Sequence, residues 1–289
     1  MKYRLRPIVG LLLLLAGCQL FKPTPPPADK GAKTDREPLP ALPAKHSLRV
    51  SQYVFFSDTE IRREQPLFQE LADLRDQVTK ELQLPTANTV VLVYLFEDEK
   101  RYERYMKAKY PDLPRRRAFF VAQPRSVGGS EDLMVFTFWG EHVRKDLRHE
   151  LTHALLHSVL KDVPLWLDEG LAEYYEVPPE RWGVSASHLE QLRRDDFKPN
   201  LARLEQLCQV QQMTPAEYRE AWAWTHLMLR GKPEVRAVLL KYLQQLRSNP
   251  NPGPLQPRLA EVLPAPEEAL EKHLAQLARS PRPAPSAQR

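Results

Sequence analysis

The chain predicts an α+β fold in which a small mixed sheet stands ahead of a mostly helical C-terminal half. Two observations carry this. Short runs dense in Val, Leu, Phe and Tyr, such as Thr89 to Phe96 and Leu133 to Trp139, fall before residue 140. From His149 onward, apolar residues recur at three- and four-residue steps nearly to the end of the chain.

In chain order, Leu48 to Ser57 has strand character. Gln65 to Leu84 has helical period, with Leu67, Leu71, Leu74 and Val78 on one side. Thr89 to Phe96, apolar on both faces, predicts a central strand. Glu97 to Tyr110 predicts a charged, tyrosine-bearing helix, and Ala118 to Ala122 another strand. Gly128-Gly129 marks a turn before Leu133 to Trp139. Within that run Met134 to Phe138 is open to two readings, a sheet edge free to pair with an extended peptide or a buried inner strand. A helix then runs through Leu160, turns at Lys161-Asp162-Val163-Pro164, and gives way to a second helix for which Pro164 suits the first turn. Further helices are expected at His188 to Arg194, Ala202 to Leu207, Pro215 to Leu229, Pro233 to Arg247 and Glu267 to Ala278, with Trp222 and Trp224 in the core. No internal repeat is present.

The first of the paired helices carries His149-Glu150-Leu151-Thr152-His153. Two His four residues apart leave the same helix face and can grip one Zn²⁺. Glu150 lies one step round, where its carboxylate can take a proton from a water made acidic by the metal. Two His leave a third protein ligand wanting, and the second helix offers it in Trp166-Leu167-Asp168-Glu169-Gly170-Leu171-Ala172-Glu173-Tyr174-Tyr175-Glu176. Glu169 leads, with Asp168 as the alternative. Trp166, Glu169, Glu173 and Glu176 form one stripe whose carboxylates would repel one another unless a cation faced them. His157 continues the row from His149 and His153, but it lies about 12 Å from His149, too far to share one metal, and is expected in the core or behind a ligand.

These residues resemble the gluzincin metallopeptidases, the group that includes thermolysin and aminopeptidase N. The likeness lies in His149, Glu150 and His153 and in the Trp-Leu-x-Glu-Gly-x-Ala-x-Tyr-x-Glu stretch from Trp166 to Glu176. It implies a zincin-like fold, Zn²⁺ held by His149, His153 and Glu169, Glu150 as general base, and Glu173 orienting a ligand His. It further implies that Tyr218, ahead of an aromatic helix, stabilises the tetrahedral oxyanion; on the residues alone Tyr218 could equally cap that helix, and His226 is a weaker alternative for the role. The metzincin pattern is excluded, because Leu156 and Val159 stand where it needs Gly and His.

At the N-terminus, Lys2, Arg4 and Arg6 precede an apolar run from Ile8 through Ala16, too short to span a bilayer but suited to a signal peptide. It ends in Leu15-Ala16-Gly17-Cys18, which resembles a bacterial lipobox with Cys18 as the lipidated residue; Gln19 after it argues by the same resemblance for an outer-membrane or cell-surface anchor. The expected organisation is a signal peptide over 1–17, a Pro-rich tether over 18–44, a metallopeptidase domain over 45–279 and a disordered tail over 280–289. With Cys18 acylated, Cys208 has no partner for an intrachain disulfide. The net charge of +5 raises the question of an anionic partner, yet Arg115-Arg116-Arg117 is the one short basic cluster and no nucleic-acid motif accompanies it, so it reads as a solvated turn.

The expected function is a zinc-dependent peptidase at the cell envelope acting on peptide or protein substrates, with the membrane reached through Cys18. Two alternatives stay open: a non-catalytic binding or assembly lipoprotein that retains the fold, and a zinc amidase acting on the cell wall.

Overall fold

The computed structural model describes residues 40–124, 131–160 and 162–279. The signal segment with Cys18, the tether before residue 40, the Gly128-Gly129 turn and the 280–289 tail lie outside the described residues. Among the described residues no helix is long and apolar enough to cross a membrane.

The fold is α+β, with a five-stranded mixed sheet in the order β1 (His46–Val50), β2 (Tyr53–Ser57), β3 (Val91–Phe96), β5 (Glu131–Phe138), β4 (Phe119–Pro124). β2, β3 and β5 run parallel, while β1 and β4 lie antiparallel to their neighbours at the two edges. The segment expected as one strand from Leu48 to Ser57 is a hairpin, in which Val50 pairs with Tyr53 and Ser51 takes a positive φ of 56°. No Gly or Asn marks this turn, so the strand pattern runs through it unbroken. β3 is the central strand. Met134–Phe138 is an inner strand, bonded to β3 on one side and β4 on the other, and the sheet edge on that side belongs to β4.

Alternation along the strands divides two apolar layers. Val91, Val93, Leu95, Leu133 and Val135 face α1 (Pro66–Leu82), whose Phe68, Leu71, Leu74, Val78 and Leu82 are buried, and α3 (Val143–His157), through Leu147, Leu151 and Leu155. On the other face Phe96, Val121 and Phe136 meet Tyr102, Tyr105 and Met106 of α2 (Glu99–Lys109). α2 starts where Asp98 accepts a hydrogen bond from the Arg101 amide at 2.8 Å. Each fully buried Val or Leu in these layers stabilises the fold by about 2 kcal/mol relative to exposure.

α3 ends at His157, one turn before the Leu160 expected, and Pro164 stands just ahead of α4 (Leu165–Tyr175). The remaining helices are α5 (Ala186–Arg194), a single turn α6 (Leu201–Leu204), α7 (Pro215–Arg230), α8 (Pro233–Leu246), α9 (Gln256–Val262) and α10 (Pro266–Arg279). α9 is the helix that periodicity did not suggest, since its about two turns carry only Leu259 into the core. Trp222 and Trp224 of α7 are buried as expected.

α4 is held between α3 and α7. A Cβ on Gly170 would strike Thr225 Oγ1 and, 2.6 Å away, the Ala221 carbonyl, so glycine is what lets α4 and α7 approach this closely. On the other side the buried Arg148 ties α3 to both neighbours. It donates to the Tyr175 carbonyl at 2.9 Å and the Val177 carbonyl at 3.1 Å, past the end of α4, and to Glu70 of α1 at 3.0 Å.

Candidate metal centre

The helical spacing of α3 brings His149, Glu150 and His153 to one side, and the clamp on α4 presents Glu169 to them. Glu169 Oε2 lies 3.5 Å from His149 Nε2 and 3.6 Å from His153 Nε2. These separations are long for hydrogen bonds, and Glu169 Oε2 is a buried oxygen with no hydrogen-bond partner. They suit three donors around one ion, because ligands bound at about 2.0–2.1 Å in a tetrahedron stand about 3.4 Å apart. Two imidazoles and one carboxylate with their donor atoms this close could hold one metal ion.

The outer nitrogens of both imidazoles are backed by carboxylates. Glu176 Oε2, just past the end of α4, lies 3.3 Å from His149 Nδ1, while its other oxygen meets Lys145 Nζ at 2.8 Å. Asp168 Oδ2 lies 2.9 Å from His153 Nδ1 and 3.3 Å from His157 Nε2. Adjacent on α4, Asp168 and Glu169 point about 100° apart, so one reaches behind His153 and the other between the two rings. Glu173, expected behind a ligand His, bonds His188 at 2.8 Å instead, and Glu176 one turn further on takes the place on His149. Phe120 of β4 stacks on His153 and His157 and holds both planes.

The electrostatics call for positive charge at the centre of this cluster. Burial opposes a proton on His149, but Glu169 and Glu176 outweigh it and hold its pKa well above the ordinary value. Burial likewise opposes charge on His153, yet Asp168 and Glu169 push it up to about 10. In return, the imidazoles overcome the burial of Glu169 and Glu176 and hold each at about 2. Asp168, wholly buried, is kept well below the usual carboxylate range by His153 and His157. A cluster that draws protons onto two imidazoles is one in which a divalent cation can replace them. Glu150 differs: burial raises its pKa despite both imidazoles.

His149, Glu150, His153, His157 and Glu169 line a cleft of about 480 Å³, together with Phe119 to Ala122 of β4 and Val210, Gln211 and Met213. Tyr218 sits in the first turn of α7, near enough for the charges of Glu169 and His149 to act on its phenol, which burial pushes up to about 12. It is not the cap of that helix, a task done by Thr214 and Glu217. Its Oη accepts a hydrogen bond from Arg116 Nη2 at 2.8 Å, and Arg116 itself reaches the cleft. His226 is outside the cleft, buried on α7 against His273 of α10 at 2.9 Å. Cys208 is a half-buried free thiol.

Lys145 and Arg148 are participants that sequence reasoning passed over, and Arg116 was expected only as part of a solvated turn: the run from Arg115 to Arg117 is exposed, but Arg115 and Arg117 are ion-paired and Arg116 lines the cleft. Lys145 lies four residues before His149, a spacing that could have placed it on the same face; nothing in the basic run singles out Arg116. No protein-family model matches the chain and no curated protein matches it, so what the protein does must be argued from the geometry of His149, Glu150, His153 and Glu169.

Proposed function

We propose that the chain is a zinc-dependent peptidase of gluzincin type, with a zincin-like domain carried at the cell envelope on a lipid anchor at Cys18. The observation that supports this best is the convergence of His149 Nε2, His153 Nε2 and the unpartnered Glu169 Oε2, beside a half-buried Glu150 and in a cleft lined by the edge strand β4.

His149, His153 and Glu169 would hold the metal. Bound there, Zn²⁺ would supply Lewis acidity and would acidify a water to a pKa of about 7. Glu150 takes the proton of the attacking water and delivers it to the leaving amine, a shuttle helped by the raised pKa of its carboxyl. Glu176 and Asp168 fix the two imidazoles with Nε2 inward. Tyr218 accepts from Arg116 through its oxygen lone pair, which leaves the phenolic proton to donate to the oxyanion of the tetrahedral intermediate. Among the described residues β4 pairs only with β5, and its other edge offers the main-chain hydrogen bonds that an extended peptide needs.

The test is zinc content and cleavage of an unbiased peptide mixture by the parent and by Glu150→Gln. One zinc per chain in both, with turnover abolished in the variant alone, is the expected result; undiminished cleavage by Glu150→Gln would refute the mechanism, and absence of zinc from the parent would refute the metal centre.

A further inference from the structure

Arg115, Arg116 and Arg117 lead into β4, and the fold treats them differently. Arg115 pairs with Glu103 and Glu99 of α2. Arg117 makes a two-point contact with Asp146 of α3, at 2.8 and 3.1 Å. Arg116, between them, has no carboxylate within ion-pair distance among the described residues; its partner is the neutral phenol of Tyr218. One N–H is used there, and a guanidinium has five.

The position of this cation is what gives it meaning. Arg116 lines the same cleft as His149, Glu150 and Glu169. It also lines a second cavity of about 260 Å³, walled by Tyr102, Met106 and Tyr110. The two cavities share Leu113, Pro114, Arg116 and Phe119, so the guanidinium stands at their junction, at the Phe119 end of the β4 edge. Tyr218 holds the fork in place, with its ring 5.8 Å from the guanidinium carbon, so little freedom is lost when the fork meets an anion. A planar fork of donors matches a carboxylate in two-point geometry.

We infer that Arg116 is a specificity-determining residue that binds a substrate carboxylate, so that the site takes peptides carrying either a free C-terminus or an Asp or Glu side chain close to the bond presented to Glu150. This rests on the peptide-hydrolase reading above and narrows its substrate class. Tyr102, Tyr110 and Phe119 then offer an apolar wall to whatever flanks that carboxylate.

The experiment measures binding, which separates this inference from the hydrolase reading. The full chain carrying Glu150→Gln, with zinc present, is titrated by calorimetry with three heptapeptide pools free of acidic side chains except where stated: C-terminal acid, C-terminal amide, and amide with one Asp. The acid pool, the Asp pool or both bind about tenfold more tightly than the plain amide, and the advantage disappears with Arg116→Ala and partly survives with Arg116→Lys. Preference for the acid pool alone assigns the C-terminus as the source of the carboxylate; preference for the Asp pool alone assigns a side chain. Equal binding of all three pools, no binding of any, or a preference that persists in a folded Arg116→Ala protein overturns the inference. Carboxylate-selective binding by a protein whose Glu150 form cleaves none of the pools would remove the hydrolase reading and leave the role of Arg116 standing.

Discussion

Replacing Asp168 tests whether the carboxylates behind the imidazoles tune the metal centre. The side chain is wholly buried, with Oδ2 2.9 Å from His153 Nδ1. Allowing for the width of an imidazole and a metal–nitrogen bond, that oxygen stands about 7 Å from a metal on Nε2. At an effective dielectric of about 20, a single negative charge at that distance favours a divalent ion by about 5 kcal/mol. Two effects reduce the net loss on its removal. The same carboxylate also favours the proton on His153 that a metal must displace, and a neutral side chain no longer suffers the desolvation of a buried charge. The balance expected is a zinc affinity weakened by about tenfold for Asp168→Asn, which keeps a polar oxygen beside Nδ1, and by about a hundredfold for Asp168→Ala, which removes it. Competition against a chromophoric chelator at pH 7 measures this directly. Glu176→Gln is expected to fall in the same range through His149, whereas Glu173→Gln, whose partner is His188, changes zinc affinity by less than about threefold. Unchanged affinity in Asp168→Ala, or a larger loss in Glu173→Gln than in Glu176→Gln, would refute the reasoning.

Three further outcomes are expected. Because the carboxylates of the metal-free cluster raise His149 and hold His153 up at about 10, zinc binding at pH 7 releases protons, which calorimetry in buffers of different ionisation enthalpy reports; no release contradicts the raised pKa values. Gly170→Ala forces α4 from α7, lowering stability by about 1–3 kcal/mol in urea denaturation and weakening zinc by displacing Glu169; a neutral effect on both would show the helices free to separate. The pair His226 and His273 makes stability fall below pH 6.5. Burial, with His273 and Arg230 adding to it, depresses His226 to about 3, and burial depresses His273 to about 4, so between pH 6.5 and 4 the unfolded chain binds protons that the folded one refuses. At pH 5 each contributes a loss of about 2 kcal/mol that is absent above pH 7. His226→Gln lessens the difference between pH 7 and pH 5 in urea unfolding, and an equal difference in parent and variant contradicts the pair as its source.

Chain-local periodicity made much of this molecule legible. The four-residue step from His149 to His153 specifies a shared face wherever a helix forms, and the stripe through Glu169, Glu173 and Glu176 follows from the same geometry. The apolar runs at β3 and β5 exposed the sheet, and the central place of β3 could be read from its being apolar on both faces. The hairpin at Ser51 escaped because a lone Ser marks a turn more weakly than the Gly or Asn usual at positive φ. α9 escaped because a seven-residue helix has too few turns for a period to emerge.

The sequence by itself therefore determined which donors exist and which helix each rides on, since these depend on residues a few positions apart. Tertiary structure alone decided that β5 is enclosed and β4 is the sheet edge, that Glu176 and Asp168 rather than Glu173 stand behind the imidazoles, and that Arg116 meets Tyr218 across 102 positions of chain. Those facts hang on strand pairing and on how α4 sits against α3 and α7, where a rotation of one helix by 100° exchanges one carboxylate for its neighbour. No local pattern carries that angle; the buried clasp of Arg148 and the bare face of Gly170 set it.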